Sequence, residues 1–586
     1  MRFTFLLLLA AVLTNAADGP FRPLPPLDLT KLKPSQFDRS EADLVFYLAH
    51  FERFANSVVE TGPDRGFIKI HVWRAPKDNQ PHNARIMENI LSLAWFYTAK
   101  RPWNPYHGAP GLRDRLEAAL DFWVRSQSPE GAFSEYKPGV WGLAPTAFAT
   151  KFMGQAIPLL EKGPAIDPAL LLRVIAAQRK ALVFGLTDPA MFQHGRNYSN
   201  QFTNLWPGAL AWLARGDDPE IRTRLAKRVA QTSPEFQSPV GYFYEAGGPD
   251  WSYNLGTHHS NLAGAYFYAA GTPMGNQLIE EERKYVEWLS YNAVPDGWRF
   301  ILNRAVETRQ ATSEVSFSYR TLLAQPVPLA RAFVQTKESY EREIDEKIRK
   351  QSATWPAVEA LRTGEFSAYS PYVFLHRAQP QWLPSDAEKK AARSLLPYIA
   401  RDRFVHQRMD SRSLAVYTYV RRPSYYAAFN SGKLIRPQQR YGIGLIWSPT
   451  LGVMVQSQTN TADAAWGTRA AGAPQVYEAA DLPARFPEDP RPGVRDLESP
   501  GEFSVEYPLG AKGRKRILYG DNFIRVEIDH PGAFVEQIPA THDALKLETT
   551  ASKSIAAPAK EHAVAGRPLR IIRLEAAGHL EYTLRF

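Results

Sequence analysis

The sequence predicts a two-part α+β protein, in which an incomplete α/α toroid is followed by an antiparallel β-sandwich. From about residue 38 to residue 400, apolar residues recur at helical spacing. The segments between these runs are rich in glycine, proline and aromatic residues, as loops are. After residue 402, short segments alternate apolar and polar residues, as half-buried strands do. A chain of 586 residues is long enough for about two to four such domains.

The first 17 residues have the features of an export signal. Arg2 supplies a positive charge, Phe3 to Leu13 form a short apolar run, and Thr14 to Ala17 offer small residues for cleavage. The apolar run is too short to cross a bilayer, and no stop-transfer pattern follows it. We therefore expect an exported protein, periplasmic or secreted, that has no membrane span.

Helical spacing is clearest in five segments of the part we assign to the toroid, residues 18–385. In the fourth of them, for example, Ile221, Leu225 and Val229 share one face. Helix pairs recur without a tight sequence period, which favours a ring of helical hairpins over a solenoid of named repeats. The five segments are "SEADLVFYLAHFERFANSVV", "GLRDRLEAALDFWVRSQ", "DPALLLRVIAAQRKAL", "EIRTRLAKRVAQ" and "LIEEERKYVEWLSYN".

The pattern changes near the end of the toroid segment. We expect residues 386–402 to form a linker and residues 403–586 to form the β-sandwich. Turn signals separate the alternating runs of this last part. Those runs include "SLAVYTYVRR", "YGIGLIWS", "LGVMVQSQ", "EFSVEYPLG" and "KRILYGDNFIRVEIDH".

Composition limits the chemistry. The chain has no cysteine, which excludes disulfides, zinc–thiolate sites and a cysteine nucleophile. Its formal net charge is +10, and a basic surface concentrates anionic ligands such as nucleic acid, acidic polysaccharide or an anionic membrane. The same charge is equally compatible with a role in solubility alone.

One stretch, Gly247 to Tyr268, crowds proton-handling groups together. It holds a carboxylate, two adjacent histidines and several tyrosines within "GGPDWSYNLGTHHSNLAGAYFY". If a helix begins here, His258 and Tyr266 can both reach its loop-facing end. Histidine exchanges protons near neutral pH, and a positive neighbour can make tyrosine a base. The structural alternative is that Tyr266 is a core aromatic residue and His258 a capping residue.

Two further polar clusters are candidates for binding a charged ligand. "FQHGRNYSNQFTNLW" contains Asn197, Asn200 and Trp206, and its asparagines could donate amide hydrogen bonds to a carboxylate; they could equally serve as loop and capping residues. Asn197 also begins a glycosylation sequon. "LNRAVETRQATS" contains Arg304 and Arg309, which could grip carboxylates or sulfates or form a solvated basic face.

Other motifs add little. Trp141, in "KPGVWGLAP", is expected on a loop, where it could stack on a sugar ring or plug the core. The sequence has no HExxH, GxSxG, P-loop or EF-hand pattern. The adjacent His258 and His259 lack the spacing of metal ligands on a helix. We predict no catalytic metal and no cofactor.

In their order along the chain, these motifs resemble those of polysaccharide lyase family 8, the hyaluronate, chondroitin AC and xanthan lyases. The segment "HHSNLAGAY" is similar to the family's catalytic loop, "HGRN" to its asparagine loop, and "VHQRMDSRSLAVYTYVRRPSYYAAFNSG" to its early β-strands. Related toroid lyases of the heparinase II/III and alginate types share the architecture.

The resemblance implies cleavage of a uronic acid polymer by β-elimination, which leaves a 4,5-unsaturated uronide. It implies a toroid followed by antiparallel β-domains, and an acidic polysaccharide as partner. On this match the catalytic residues are Asn197, His258, Tyr266 and Arg304. His259 is the alternative to His258, and Asn200 is the alternative to Asn197. Substrate-binding roles fall to Trp141, Asn200, Trp206, Tyr253, His259 and Arg309, with Tyr253 as the alternative base. We expect a monomer that binds no nucleic acid.

Two other classes of function remain open at this stage. A glycoside hydrolase on the same scaffold would use paired carboxylates, for which Glu245 and Asp250 are the candidates. A glycan-binding protein without catalytic activity would show tight binding and no turnover.

Overall fold

A computed structural model of the chain describes residues 19–70, 76–317, 321–361, 370–377, 381–459, 463–498 and 501–586. The predicted export signal, residues 1–17, lies outside these described residues. Among the helices described, none is both long enough and apolar enough to cross a membrane.

The helical part occupies the chain up to residue 400. Its helices are α1 (Leu44–Ala49), α2 (Phe51–Ala55), α3 (Ile90–Thr98), α4 (Pro110–Arg125), α5 (Leu143–Lys162), α6 (Pro168–Thr187), α7 (Pro189–Gly195), α8 (Ser199–Phe202), α9 (Leu205–Arg215), α10 (Pro219–Phe236), α11 (Trp251–Tyr253), α12 (His259–Ala269), α13 (Pro273–Asn292), α14 (Lys337–Thr354), α15 (Tyr372–Arg377), α16 (Asp386–Arg393) and α17 (Pro397–Ala400).

The longer helices form two concentric rows. Helices α3, α5, α9 and α12 are buried over most of their surface and pack side by side as the inner row. Helices α4, α6, α10 and α13 carry one apolar face each and cover the inner row from outside. Each inner helix packs against an outer one. This is the incomplete α/α toroid that the sequence predicts.

The connections that lead into the inner helices meet at one end of the toroid. Each follows the end of an outer helix, so residues 126–142, 188–204 and 237–258 lie at the same end. The first of them forms a small hairpin, β1 (Phe133–Ser134) with β2 (Trp141–Gly142). The positive ends of the inner helix dipoles therefore point toward these loops.

Residues 386–402, expected as a linker, are helical. Helices α16 and α17 fill most of this segment, and Ala392, Leu396 and Tyr398 are buried in the same core as the toroid helices. The Tyr398 hydroxyl donates to the peptide oxygen of Ala293 at 2.6 Å. The polar surface of α16 resembles a linker in composition, but the apolar residues that follow it anchor the segment.

The strands of the remaining chain are antiparallel. The helical part contains one more hairpin, formed by β3 (Ala293–Asp296) and β4 (Arg299–Leu302). The strands of the β-region are β5 (Phe404–Met409), β6 (Ala415–Arg422), β7 (Tyr425–Gly432), β8 (Gly442–Ser448), β9 (Gly452–Gln456), β10 (Gly467–Ala470), β11 (Gly493–Leu497), β12 (Phe503–Leu509), β13 (Gly513–Tyr519), β14 (Phe523–Ala540), β15 (Lys546–Thr549), β16 (Lys553–Val564) and β17 (Arg567–Arg585).

Two layers can be distinguished within the hydrogen-bonded network. The first has the order β11-β5-β6-β7-β8-β9, and the second contains β10, β12–β13 and β14–β17. The layers are joined where Ala540 of β14 pairs with Val455 of β9. Apolar residues such as Phe429 of the first layer and Val526 of the second share one core, as in a sandwich.

The first layer is buried on both faces. Along β7, Tyr425, Ala427 and Phe429 face the second layer, whereas Tyr426 and Ala428 belong to the core shared with the toroid helices. Because successive side chains of a strand point to opposite faces, this alternation leaves no solvent side, and β6, β7 and β8 are buried almost throughout.

Candidate active site

The crowded stretch folds into a sharp start of α12. Asp250 caps the short helix α11 by accepting the Tyr253 N–H at 3.0 Å. A π-helical turn, Asn254–His258, then leads into α12. Single π turns are rare and often lie at functional sites.

An arginine lies against two tyrosines next to this turn. The guanidinium of Arg309 is 4.5 Å from the ring centre of Tyr253 and 5.3 Å from that of Tyr198. Its Nη1 is 3.3 Å from Oε2 of Glu245, which is fully buried, whereas the Arg309 side chain keeps 25% exposure. Glu245 therefore holds the Arg309 guanidinium in place, and the exposed part of Arg309 lies with Tyr253 at the loop end of the toroid.

Glu245 connects this arginine to the polar cluster around Asn200. Its Oε1 accepts the Asn200 N–H at 2.9 Å and lies 3.5 Å from the Ser199 hydroxyl. Burial raises the pKa of Glu245 to about 8, and Asp250 acts in the same direction, while the Asn200 N–H and Arg309 oppose the shift.

His258 belongs to the same network through a contact with Ser199. Its Nδ1 is 3.2 Å from the Ser199 hydroxyl, and its ring stacks on Phe243 with 3.6 Å between centres. Burial lowers the pKa of His258 to about 3, so the imidazole is neutral at physiological pH. Among the described residues, neither His258 Nε2 nor Asn200 Nδ2 has a hydrogen-bond partner, and an unsatisfied buried group costs about 1–3 kcal/mol.

The shift at His258 predicts a loss of stability on acidification. The unfolded chain takes up a proton below the usual histidine pKa of about 6.5, whereas the folded chain resists it until about pH 3. Between pH 7 and pH 5 we expect this residue to lower the free energy of unfolding by about 2 kcal/mol. Urea titrations of the wild type and of His258→Phe at several pH values measure it. An equally steep pH dependence in the variant would contradict the expectation.

The structure does not bring Tyr266 to His258. Eight residues of helix separate them by about 12 Å along the axis, and the half-buried Tyr266 ring packs against the toroid core. The predicted convergence at the loop-facing end is therefore wrong, and Tyr253, the alternative base, occupies that end.

Asn197 is exposed at the protein surface, directly before Tyr198, whose ring lies against Arg309. Its Oδ1 accepts from Arg412 Nη2 at 2.7 Å, and its peptide oxygen accepts the Ala246 N–H at 2.7 Å. Arg412 belongs to the loop between β5 and β6, so the β-region orients this amide. Asn197 directly precedes Tyr198 and thus remains a candidate for contacting a ligand held by Arg309.

Other predicted site residues have different surroundings. Trp206 is 1% exposed within the toroid core, so its substrate-binding role is wrong. Arg304 is buried and donates to Gln458 of the β-region. His259 is buried, with Nδ1 2.8 Å from Oε1 of Glu282. Trp141 is 42% exposed on the β1–β2 hairpin at the loop end, where a ligand can reach it.

The carboxylates considered for hydrolysis hold the loops together. Asp250 uses one oxygen for the Tyr253 N–H and the other for the Gln310 N–H at 3.0 Å. Glu245 uses both oxygens for Asn200 and Arg309. Both carboxylates are fully buried. This pair therefore does not form opposed groups that face a sugar. In the described part of the chain, no three acidic or histidine side chains are grouped as a metal site would require.

Two residues of the candidate site, Tyr198 and Ser199, were not predicted from the sequence. Tyr198 lies within the asparagine-rich segment, and Ser199 follows it, but neither has a spacing that marks a site. Glu245 was considered only as a catalytic acid. Its pairing with Arg309 spans 64 positions, and such a distant contact leaves no local signal.

Comparison with known proteins gives similarity of structure alone. No family model and no curated protein matches the sequence. A variant of the chondroitin AC lyase of Streptomyces coelicolor A3 is 13% identical, with a TM-score of 0.49 over 93% of this chain and 79% of that one. A polysaccharide lyase is 12% identical, with a TM-score of 0.31 over 61% and 98%. The endoglucanase CelQ of Clostridium thermocellum is 11% identical, with a TM-score of 0.26 over 94% and 92%.

The first two of these solved structures belong to the class that the sequence motifs resemble. All three are too distant to indicate what this chain binds or cleaves.

Proposed function

We propose that this protein is a polysaccharide lyase that cleaves a uronic-acid-containing polymer by β-elimination. The observation that supports this most directly is the Tyr253–Arg309–Glu245 arrangement. It combines a half-exposed phenol with a cation that is held against it by a buried carboxylate. Tyrosine is one of the side chains that transfer protons in catalysis, and Arg309 keeps this ring at the loop end of the toroid.

In the proposed reaction, the Tyr253 phenolate takes the proton from C5 of the uronic acid. The electron pair of that C–H bond forms the C4–C5 double bond, and the C4–O bond to the leaving sugar breaks. The phenol then returns its proton to the departing oxygen. One side chain thus both removes and delivers the proton, and no water is consumed.

The C5 proton becomes acidic only if the neighbouring carboxylate is neutralised. Asn197 offers an oriented amide beside Arg309, and Arg309 itself offers a fork of N–H donors. Asn200 and His258 are buried next to Glu245 and Ser199, and among the described residues neither Asn200 Nδ2 nor His258 Nε2 has a hydrogen-bond partner. Donors aimed at the developing negative charge contribute about 3–4 kcal/mol each when they are well placed.

The surroundings suit a polyanion that contains sugar rings. The dipoles of the inner helices direct positive potential to the loop end, and the whole chain carries a formal charge of +10. Trp141 at this end provides an exposed aromatic face.

A direct test is to incubate the protein with hyaluronan, chondroitin, alginate, xanthan and heparan sulfate in turn. A lyase produces ultraviolet absorbance from the new double bond conjugated to the carboxylate. New reducing ends without this absorbance would indicate a hydrolase and contradict the proposal, as would binding without turnover on every polymer.

Glu245 acts here as a positioning residue for Arg309. Above pH 8, where Glu245 is ionised, we expect Glu245→Gln to lower kcat about 10- to 100-fold, since it removes a charge-assisted contact, with a smaller change in KM. The difference from the wild type should shrink below pH 8, because Glu245 is then protonated and the substitution removes no charge. Glu282→Gln, which changes a buried carboxylate bonded to His259, is the matched control. A uniform loss with an unchanged profile would indicate only a structural role.

A further inference from the structure

A cavity of about 1130 Å³ lies beside the candidate active site and takes no part in the proposed chemistry. Its walls come from the start of α12, the β3–β4 hairpin, α14, α15 and α16. Ser252, the residue before Tyr253, lines it. Tyr372 also lines it and lies close enough to Tyr253 for the two phenols to interact electrostatically. The cavity therefore adjoins the site, and its volume is large for a single small ligand.

Positive charge dominates the lining of this cavity. Basic side chains outnumber acidic ones, and some of the acidic ones are already engaged. Glu314 pairs with Arg299 at 2.6 Å, and Glu343 accepts from Gln335 at 2.7 Å. Within the described part of the chain, Arg342 and Lys390 have no carboxylate partner. The charged lining residues are Arg299, Arg342, Lys389, Lys390 and Arg393, with Glu314, Glu343 and Asp386.

Two of the cations are partly withdrawn from water. Lys389 donates to the Val334 oxygen at 2.8 Å, and burial lowers its pKa to about 8. Arg393 lies over the Phe300 ring at 5.2 Å, and its Nε has no partner among the described residues. Asp386 stabilises the charge of Lys389 but offsets only part of the positive charge here. Burying cations without full neutralisation is costly, so an anion that enters the cavity relieves part of that cost.

An aromatic platform stands at the same cavity. Trp298, at the turn between β3 and β4, is 77% exposed and lines it. An exposed tryptophan indicates a binding surface more strongly than an exposed aliphatic residue does, because its flat face can cover the C–H face of a sugar ring. Cations and an aromatic face together match an acidic saccharide better than a free inorganic anion.

We propose that this cavity binds the acidic sugar units adjoining the cleaved bond, with Arg342 and Lys390 contacting their carboxylates and Trp298 stacking on a ring. The inference rests on the proposed lyase function. According to this inference, helices α14, α15 and α16, which follow β4, contact the sugar units next to the uronic acid that reacts.

The test measures binding of a hyaluronan hexasaccharide to the full chain by calorimetry, in the Tyr253→Phe background so that nothing is cleaved. We expect the double change Arg342→Ala and Lys390→Ala to weaken binding about tenfold or more and to flatten its salt dependence. Trp298→Ala should weaken it as well. Lys347→Ala, which removes a charge from α14 outside the cavity lining, is the matched control.

Unchanged affinity in the double variant would overturn the inference, as would an equal loss in Lys347→Ala or equally tight binding of neutral cellohexaose. The outcome is separate from that of the lyase proposal. If the wild type forms no unsaturated product from any of the five polymers but the hexasaccharide binds with the expected dependence on Arg342 and Lys390, the chemistry is refuted and the acidic-sugar cavity is supported.

Discussion

Replacing Tyr253 with phenylalanine is expected to lower the rate of unsaturated product formation about 10²- to 10⁴-fold, the usual contribution of a general base. The substitution removes only the hydroxyl, so the ring can still lie beside Arg309. The affinity for substrate should therefore change much less than kcat. Initial rates on whichever polymer the wild type cleaves, together with binding to the inactive variant, measure both quantities.

Tyr266→Phe is the control that distinguishes the two tyrosines of the crowded stretch. It makes the same chemical change in α12, whereas Tyr253 ends α11 on the other side of the π turn. We expect near wild-type turnover from this variant. Loss of activity in Tyr266→Phe, with activity retained in Tyr253→Phe, would reverse the assignment of the base and refute the site described above.

The largest effect on stability is expected at Lys515. Its ammonium is fully buried in the β-region, 3.1 Å from Oε1 of Glu478 and 2.7 Å from Oε1 of Glu536, and 3.6 Å from the Trp466 ring centre. Lys515→Met would leave two buried carboxylates without their cation. We expect the free energy of unfolding to fall by about 3–5 kcal/mol, as measured by chemical denaturation.

Two further variants show whether the unpaired charge is the cause. Adding Glu536→Gln to Lys515→Met removes one of the stranded carboxylates and should restore part of the stability. Lys512→Met changes an exposed lysine of the neighbouring turn and should shift stability by less than about 0.5 kcal/mol. If Lys515→Met costs no more than Lys512→Met, the network does not stabilise the fold as argued.

The fold was predictable because its signals are local. Helical spacing in "EIRTRLAKRVAQ" and alternation in "EFSVEYPLG" depend on neighbouring residues, and both segments form the expected element, α10 and β12. The segment 386–402 is predicted as a linker because its polar residues come first, and in the structure most of it is helical. The residues that bury it, such as Tyr398, do so through contacts with distant parts of the chain.

The site was predictable only as a region. The sequence indicates the loops that carry Asn197, Tyr253 and Arg309, but it does not show a π turn, so it could not choose between Tyr253 and Tyr266. Trp206 was misassigned for a related reason. A tryptophan close to polar residues in sequence can still point to the other side of its helix, into the core.

The doubly covered sheet layer has a mechanical consequence for polymer capture. A hinge between the two halves would have to expose side chains such as Tyr417, Tyr426 and Trp447, which belong to the core shared with the helices. Exposing them costs about 25 cal/mol for each Å² of apolar surface. Relative motion of the two halves is therefore costly, and under the proposed function a long saccharide would be accommodated by movement of the loops at the end of the toroid, without a change in the relative position of the halves.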